Sequence, residues 1–174
     1  PVNNAMTVLT SMTSGPASTQ VQTLWYFDVV AKQWRGPYPH KGAYHGQSTY
    51  DSKRGLIWFQ PEQASTVNAN GELTSFNVKT GALAYYGWPY TSGVGGLDSM
   101  MGYDPIRDKL VLTSFRSGAY VSERDPANPT VGWKIIPQKN KPAKVWGQNT
   151  MAWSNLRQAW IIWSSAAGGT VYEL

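Results

Sequence analysis

Hydrophobic and polar residues alternate along this chain in short segments that end in polar turns. Three segments share one layout, in which an alternating stretch reaches an aromatic residue, a polar turn follows, and a dense apolar run comes next. They read "TYDSKRGLIWF", "GYDPIRDKLVL" and "AWSNLRQAWII", and their aromatic residues are Tyr50, Tyr103 and Trp153, 53 and 50 residues apart. In each copy an arginine follows the aromatic residue by four positions. Each copy predicts a strand, a tight turn and a second strand, which together form a β-hairpin.

A second family of predicted hairpins lies between these copies. "LWYFDVVAKQWRGPYP" (Leu24 to Pro39) and "LTSFNVKTGALAYYGWP" (Leu73 to Pro89) each place a polar turn between two apolar stretches, with Phe27 lying 49 residues before Phe76. A looser version is "AYVSERDPANPTVGWKIIP". Two hairpins per period of about fifty residues make four strands, which is the number of strands and a typical repeat length of a β-propeller blade.

The repeat divides the chain into two complete blades and two partial ones. With strands lettered a to d from the propeller axis outward, Gly46 to Pro89 and Leu97 to Pro137 are predicted to be complete blades. Residues 1–39 supply strands b, c and d of a partial blade, and residues 147–174 supply strands a, b and c of another. The predicted fold class is therefore all-β: an arc of four-stranded antiparallel blades that is part of a larger ring. The alternative is a small β-sandwich of unrelated strands.

An open arc leaves the apolar faces of its two end blades uncovered, because each blade buries its faces only against its neighbours. We therefore expect a partner that completes the ring, either another propeller segment or copies of this chain.

The amino-acid composition favours an all-β protein and disfavours several other classes of protein and of site. Nine Trp, ten Tyr, seventeen Gly and eleven Pro favour strands and frequent turns. The net charge of +5 is modest for a nucleic-acid-binding protein, and no apolar run approaches the eighteen or so residues of a membrane span. The absence of cysteine excludes disulfides, thiolate metal sites and cysteine nucleophiles. It leaves the cellular compartment open, with an extracellular or secreted location favoured over a cytoplasmic one.

The hairpins resemble those of the kelch and galactose-oxidase-like group of β-propellers. The segment "FDVVAKQW" (Phe27 to Trp34) is similar to the kelch pattern of a hydrophobic residue and Asp followed about six residues later by Trp, and "FNVKTG" (Phe76 to Gly81) is a related segment. The resemblance implies a propeller that binds ligands on its loop face. Galactose oxidase, the best-known enzyme of the group, uses copper and a tyrosine linked to a cysteine, and that link cannot form within a chain that lacks cysteine.

In a propeller the d-to-a connections and the b-to-c loops open on one face. Five positions before each aromatic anchor lie polar residues near the predicted start of an innermost strand, close to the axis: His45, Asp98 and Gln148. They are candidate ligand-binding groups, with solvated channel-lining groups as the alternative. Aromatic residues in the predicted connections are candidates for stacking on sugar faces or anchoring a protein: Tyr44, Trp88, Tyr90 and Trp146. Packing between blades is the alternative for each of them.

Six other tryptophans are predicted to lie in the core: Trp25, Trp34, Trp58, Trp133, Trp160 and Trp163. The sequence indicates no catalytic residue, no metal-binding residue and no cofactor. The first hypothesis is a non-catalytic binding or scaffold module that recognises a protein or a glycan through its loop face. The alternatives are an enzyme of the galactose-oxidase-like class whose catalytic residues lie partly outside this chain, and a structural protein that associates with itself.

Overall fold

The computed structural model describes residues 5–10, 22–40, 47–60, 73–86, 99–114, 120–139, 149–164 and 170–174. Within these ranges the chain forms strands and turns only. The first seven strands are β1 (Ala5–Thr10), β2 (Gln22–Asp28), β3 (Gln33–His40), β4 (Gln47–Asp51), β5 (Leu56–Gln60), β6 (Leu73–Asn77) and β7 (Leu83–Tyr86). The others are β8 (Ser99–Asp104), β9 (Lys109–Ser114), β10 (Tyr120–Arg124), β11 (Lys134–Ile136), β12 (Asn149–Ser154), β13 (Ala159–Ser164) and β14 (Thr170–Glu173).

The strands form four antiparallel sheets, each built from consecutive strands. Strands β1 to β3 make the first blade, β4 to β7 the second, β8 to β11 the third and β12 to β14 the fourth. The second and third blades have four strands, and the first and fourth have three. The predicted fold class, an all-β arc of antiparallel blades, is confirmed, while the exact blade boundaries stay predictions. No helix in the described ranges is long and apolar enough to cross a membrane.

The repeated turn has a local cause. Asp51 ends β4, and its Oδ1 accepts hydrogen bonds from the backbone N–H groups of Lys53 and Arg54, both at 3.0 Å. Gly55 completes the turn at a φ of 66°, a left-handed conformation that glycine adopts without steric cost. An aspartate that bonds the backbone two and three residues on, followed by a left-handed residue, closes a hairpin of this length.

Three other hairpins with described turns repeat this arrangement. In the third blade Asp104 accepts from the backbone of Ile106 and Arg107 at 2.9 and 3.0 Å, and Asp108 takes the left-handed position at a φ of 54°. Asp28 and Asn77 use the same two-bond pattern in the c-to-d hairpins of the first and second blades. The recurring sequence segment therefore forms a tight turn, which fixes the register of each hairpin.

Alternate residues of each strand face opposite neighbours, so every internal blade is buried on both sides. On one side of the second blade Phe76 packs against Tyr26 and Tyr38 of the first. On its other side Trp58 and Leu73 are fully buried against a cluster from the third blade: Met101, Tyr103, Leu110, Leu112 and Trp133. Trp133 also donates from Nε1 to Oε1 of Gln60, at 3.1 Å, across this interface.

The fourth blade contacts the third through Trp160. The six-membered ring of Trp160 lies directly over Gly102 on β8, where a side chain of any size would collide with it. Val111 and Val121 of the third blade and Met151 and Trp153 of the fourth complete this cluster. Glycine at position 102 is therefore required by the close approach of the two blades.

The prediction that all six tryptophans lie in the core is wrong for two of them. Trp58, Trp133 and Trp160 are buried as predicted, and Trp25 is partly buried. Trp34 and Trp163 are about half exposed, because Trp34 lies on the outward face of the first blade and Trp163 on the outward face of the fourth. The sequence pattern identifies residues that face a neighbouring blade, but at the two ends of the arc no neighbour from the described chain is present.

Candidate binding groove between the third and fourth blades

A groove of about 440 Å³ opens between the third and fourth blades, beside their a-to-b turns. The third blade lines it with charged and polar residues from its a-to-b turn, strand c and the segment after strand d. The fourth blade contributes two tryptophans, a turn glutamine and Leu174. The residues with polar or aromatic groups in this lining are Asp104, Arg107, Glu123, Gln138, Lys139, Trp153, Gln158 and Trp160.

Two tryptophans line the groove on the side of the fourth blade, and of these Trp160 is buried and Trp153 is partly buried. Trp153 and Trp160 pair edge to face, with ring centroids 5.4 Å apart and planes at 68°. Trp153 donates from its indole Nε1 to Oδ1 of Asn155 at 3.0 Å. The Nε1 of Trp160 is buried, and no group in the described part of the chain accepts a hydrogen bond from it. A buried donor without a partner is unfavourable.

The positive charge of Arg107 in the groove is compensated by two carboxylates of the same blade, the third. Arg107 donates from Nε to Oδ2 of Asp104 at 2.7 Å, and its Nη1 contacts Oε1 of Glu123. Partial burial acts to lower the pKa of the Arg107 guanidinium, but the hydrogen bond to Asp104 and the charge of Glu123 outweigh it, and the pKa is raised. With Lys139, the lining carries two positive and two negative side chains. The groove therefore offers many hydrogen-bonding groups with little net charge.

The preceding blade interface explains why the space is open here. At the same level between the second and third blades, Arg54 reaches across and contacts both carboxylate oxygens of Asp108, at 2.7 and 2.9 Å. In the fourth blade the residue matching Asp108 is Gln158, which carries no charge. Arg107 instead turns back to Glu123, whose counterpart in the second blade is Ser75. The residues that close one interface are thus replaced at the other.

The closed interface is also a strong electrostatic cluster. Tyr103 donates to Oδ1 of Asp108 at 2.9 Å, and Lys53 contacts Oδ2 at 2.5 Å. The hydrogen bond from Arg54, with those from Lys53 and Tyr103, holds the pKa of the Asp108 carboxyl well below its usual range. Burial, with the hydrogen bond to Asp108, raises the pKa of the Tyr103 hydroxyl well above its usual value. This set of charges stabilises the contact between two blades.

The candidate residues predicted from the sequence lie elsewhere. His45, Asp98 and Gln148, together with Tyr44, Trp88, Tyr90 and Trp146, fall outside the described residues, so their roles stay predictions. The groove itself was not predicted, because the pattern assigns Arg107 to a turn, Trp153 to the aromatic anchor of a hairpin and Trp160 to the core. A signal was present: an acid follows Arg107 and Arg157 by sixteen positions, but no acid follows Arg54 at that spacing. Among the described residues no group of three or more His, Asp or Glu side chains is arranged to hold a metal ion.

No protein-family model matches the chain, and no curated protein is detectably similar to it in sequence. Similar solved structures exist. TolB from Acinetobacter baumannii matches with a TM-score of 0.52 and 16% identity, over 88% of this chain and 38% of TolB. An auxiliary nutrient binding protein from Bacteroides ovatus ATCC 8483 matches with a TM-score of 0.56 and 12% identity, over 99% of this chain and 44% of that protein. A chain of a nidogen/laminin complex has a TM-score of 0.49 and 13% identity, over 88% of this chain and 55% of the other.

The chain spans less than half the length of TolB and of the nutrient binding protein. TolB is a β-propeller protein, and the likeness shows a fold of the same kind. The chain is an arc of β-propeller blades.

Proposed function

We propose that this chain is a non-catalytic binding module of the β-propeller type, and that the groove between its third and fourth blades takes a glycan. The observation that carries the proposal is a partly buried tryptophan, Trp153, that lines a groove beside hydrogen-bonding side chains whose charges compensate each other. Flat aromatic rings stack on sugar faces, and sugar hydroxyls both donate and accept hydrogen bonds.

The size of the groove favours a sugar over a protein surface. A volume of about 440 Å³ lies within the range of about 300–1,000 Å³ that small-molecule sites occupy. A protein interface needs a much larger contact area, about 800 Å² on each partner. The two positive and two negative side chains in the lining favour an uncharged sugar over an acidic one. The ligand is thereby placed beside the a-to-b turns, at the opposite end of the blades from the loops that the sequence pattern favoured.

Two finer parts of the proposal concern the family and the location. A kelch-like propeller is supported by Phe27 and Trp34, whose rings lie 5.4 Å apart across the hairpin that carries the kelch resemblance. A glycan ligand is compatible with an extracellular or secreted protein, since polysaccharides and glycoproteins are exposed there. A partner also belongs to the proposal: another propeller segment or a copy of the chain adjoins the two ends of the arc.

The experiment is a screen of the purified chain against neutral and acidic oligosaccharides, followed by calorimetric titration of the hits. We expect neutral sugars to bind and Trp153→Ala to weaken binding about tenfold or more, which corresponds to about 1.4 kcal/mol. A second variant, Gln158→Asn, withdraws the groove amide by one methylene, keeps a residue that tolerates the left-handed turn position, and should weaken binding.

The matched control is Tyr85→Ala, which removes a partly exposed aromatic residue from the outer strand of the second blade, away from the groove. It should bind as the unaltered chain does. Failure of all neutral sugars to bind, or unchanged affinity in both groove variants with circular dichroism and melting temperature intact, would refute the glycan proposal.

A further inference from the structure

The arginine of the a-to-b turn has a different second partner in the second and third blades. Arg54 of the second blade crosses to the third, where it contacts both carboxylate oxygens of Asp108 at 2.7 and 2.9 Å. Arg107 of the third blade stays within its own blade, where it contacts Glu123 on strand c. Both arginines also contact the aspartate that ends their own strand a, at 2.9 and 2.7 Å respectively. The two guanidinium groups therefore share one partner and differ in the other.

The acceptor position that Arg54 uses has a counterpart in the groove. Asp108 has a φ of 54° in the turn of the third blade, and Gln158 has a φ of 53° in the turn of the fourth. Both Arg107 and Gln158 line the groove. The Gln158 amide donates to the backbone carbonyl of Asn155 at 2.6 Å, within its own turn. The turn of the fourth blade thus repeats the backbone conformation of the third without its carboxylate.

The residue on strand c distinguishes the two arginines. Glu123 in the third blade and Ser75 in the second hold the same register position on this strand, and a serine offers Arg54 no charged partner. The side chain of Glu123 is 17% exposed, so solvent screens its charge only in part. In the fourth blade the same position is Glu173, and Arg157 contacts it at 2.7 Å. The turn arginine stays within its blade in both blades whose strand c carries this acid.

We propose that Glu123 is a positioning residue that keeps the groove open by holding Arg107 within the third blade. Without this acid, Arg107 would cross toward position 158 and lie between the two a-to-b turns, in the space that the groove now occupies. Gln158 contributes because it supplies no carboxylate to attract the guanidinium. The inference deepens the proposed function and rests on it only where it concerns sugar binding, because the partner of Arg107 can be measured without a ligand.

The test is a pair of double-mutant cycles between positions 107 and 158, with the equilibrium constant of unfolding as the readout. Each cycle combines Arg107→Met with Gln158→Asp, which supplies the carboxylate found at the preceding interface. With Glu123 in place, we expect a coupling within about threefold, as for a screened charge contact. In a chain with Glu123→Ser we expect about tenfold or more, because Arg107 then binds the new carboxylate. If Arg107→Met does not fold, Arg107→Lys replaces it, since lysine keeps the charge but cannot make a bidentate contact.

The matched control is Glu173→Ser, which removes the corresponding acid from the fourth blade and leaves Glu123 in place. The coupling between positions 107 and 158 should then stay within about threefold. A crystal structure of Glu123→Ser/Gln158→Asp gives a direct check, in which the Arg107 guanidinium should contact the carboxylate at position 158. Equal coupling with and without Glu123, absence of coupling in both, or an unmoved Arg107 in the crystal would overturn the proposal.

Sugar binding separates this inference from the proposed function. Glu123→Ser/Gln158→Asp should bind neutral sugars about tenfold more weakly than Gln158→Asp alone, because both have lost the glutamine amide and only the first lets Arg107 cross. Adding Arg107→Met to the double variant should restore part of the affinity. A loss that persists would mean that Glu123 contacts the sugar directly, which would overturn the claim that Arg107 closes the groove. If the unaltered chain binds no neutral sugar, the proposed function fails, while the cycles still decide which partner Arg107 takes.

Discussion

Arg54 joins the second blade to the third by contacting both carboxylate oxygens of Asp108, at 2.7 and 2.9 Å. The same guanidinium contacts Asp51 of its own turn at 2.9 Å, so one side chain fixes a hairpin and a blade interface together. The contact depends on the left-handed turn position of Asp108, which points its short side chain back at the neighbouring turn. A bidentate pair between an arginine and a carboxylate is among the stronger polar contacts in proteins.

Removing the charge of Asp108 should weaken the interface. Asp108→Asn keeps the size of the side chain and the tolerance for a left-handed backbone, but it loses the charge that Arg54, Lys53 and Tyr103 share. We expect the free energy of unfolding to fall by about 1.5–3 kcal/mol, the range for hydrogen bonds to charged groups. Denaturant unfolding followed by tryptophan fluorescence measures the change.

The control for this substitution is Asp125→Asn. Its carboxylate lies 3.3 Å from Lys109 and is 42% exposed, so its charge is screened by solvent. An asparagine there still accepts the backbone hydrogen bond of Ala127. We expect a change within about 0.5 kcal/mol, as for other exposed pairs. Equal losses in the two variants would contradict a special role for Asp108.

The contribution of Asp108 should depend on pH in a defined window. Its pKa is lowered in the folded protein, chiefly by the hydrogen bond from Arg54, so the unfolded chain takes up the proton first as the pH falls. The stabilisation is therefore fully present above the unfolded pKa of about 3.9 and is lost as the pH falls toward the folded value. The difference in unfolding free energy between the unaltered chain and Asp108→Asn should be constant from about pH 7 to pH 5 and shrink below about pH 4.

Other aspartates do not obscure this comparison. The pKa of Asp28 and that of Asp125 are also lowered, in each case chiefly by a backbone hydrogen bond, but both residues are present in both proteins and cancel in the difference. Urea unfolding at several pH values gives the two curves. A difference that grows as the pH falls would have the wrong sign and would exclude the proposed linkage.

The fold could be predicted from the sequence because it consists of repeated hairpins. The spacing of Tyr50, Tyr103 and Trp153 and the turn residues after them predict hairpins without knowledge of long-range contacts. The alignment of Phe27 with Phe76 likewise predicted two residues that occupy matching positions on β2 and β6. Local turn chemistry and alternation carry this information, and both are visible in a few consecutive residues.

The groove could not be predicted in the same way, because it depends on which carboxylate the arginine of each turn contacts. Arg54 binds Asp108 from the next blade, whereas Arg107 binds Glu123 from its own. Both arginines have the same place in the repeat, and only the residues sixteen positions later and in the adjacent turn distinguish them. Trp163 shows the same limit: its pattern is that of a core residue, and its exposure follows from the absence of a neighbour in the described chain.

The close approach of Trp160 to Gly102 predicts a large effect of a small substitution. A methyl group at position 102 would occupy the space of the six-membered ring of Trp160, so Gly102→Ala must displace the fourth blade or the ring. We expect a loss of about 1–3 kcal/mol, as for other overpacked sites, and a shift in tryptophan fluorescence.

Gly55→Ala provides the contrast, since the two substitutions add the same atom. Gly55 has a φ of 66° and no atom near the added methyl group, so only the backbone conformation is penalised, by about 1–2 kcal/mol. The fluorescence of Trp160 should not change in this variant. If Gly102→Ala is neutral in both stability and fluorescence, the two blades do not approach as closely as described.

A substitution in the a-to-b turn of the fourth blade should stabilise the chain, because this turn has fewer side-chain to backbone hydrogen bonds than the a-to-b turns of the second and third blades. Ser154 accepts a single backbone hydrogen bond, from Arg157 at 3.2 Å, where Asp51 and Asp104 each accept two. Ser154→Asp supplies the longer acceptor and a carboxylate for the Arg157 guanidinium, which already contacts Glu173 at 2.6 Å. We expect the free energy of unfolding to rise by about 0.5–1 kcal/mol, which thermal and urea unfolding measure.

Ser154→Asn separates the two causes of this gain. Asparagine accepts two backbone hydrogen bonds in the outer turn of the second blade, at Asn77, but it adds no charge. If the turn geometry is limiting, both variants stabilise the chain, and if the charge is limiting, only the aspartate does, with a gain that salt reduces. A loss of stability in both would mean that Ser154 is already the best residue for this turn, and that the fourth blade does not follow the rule of the second and third.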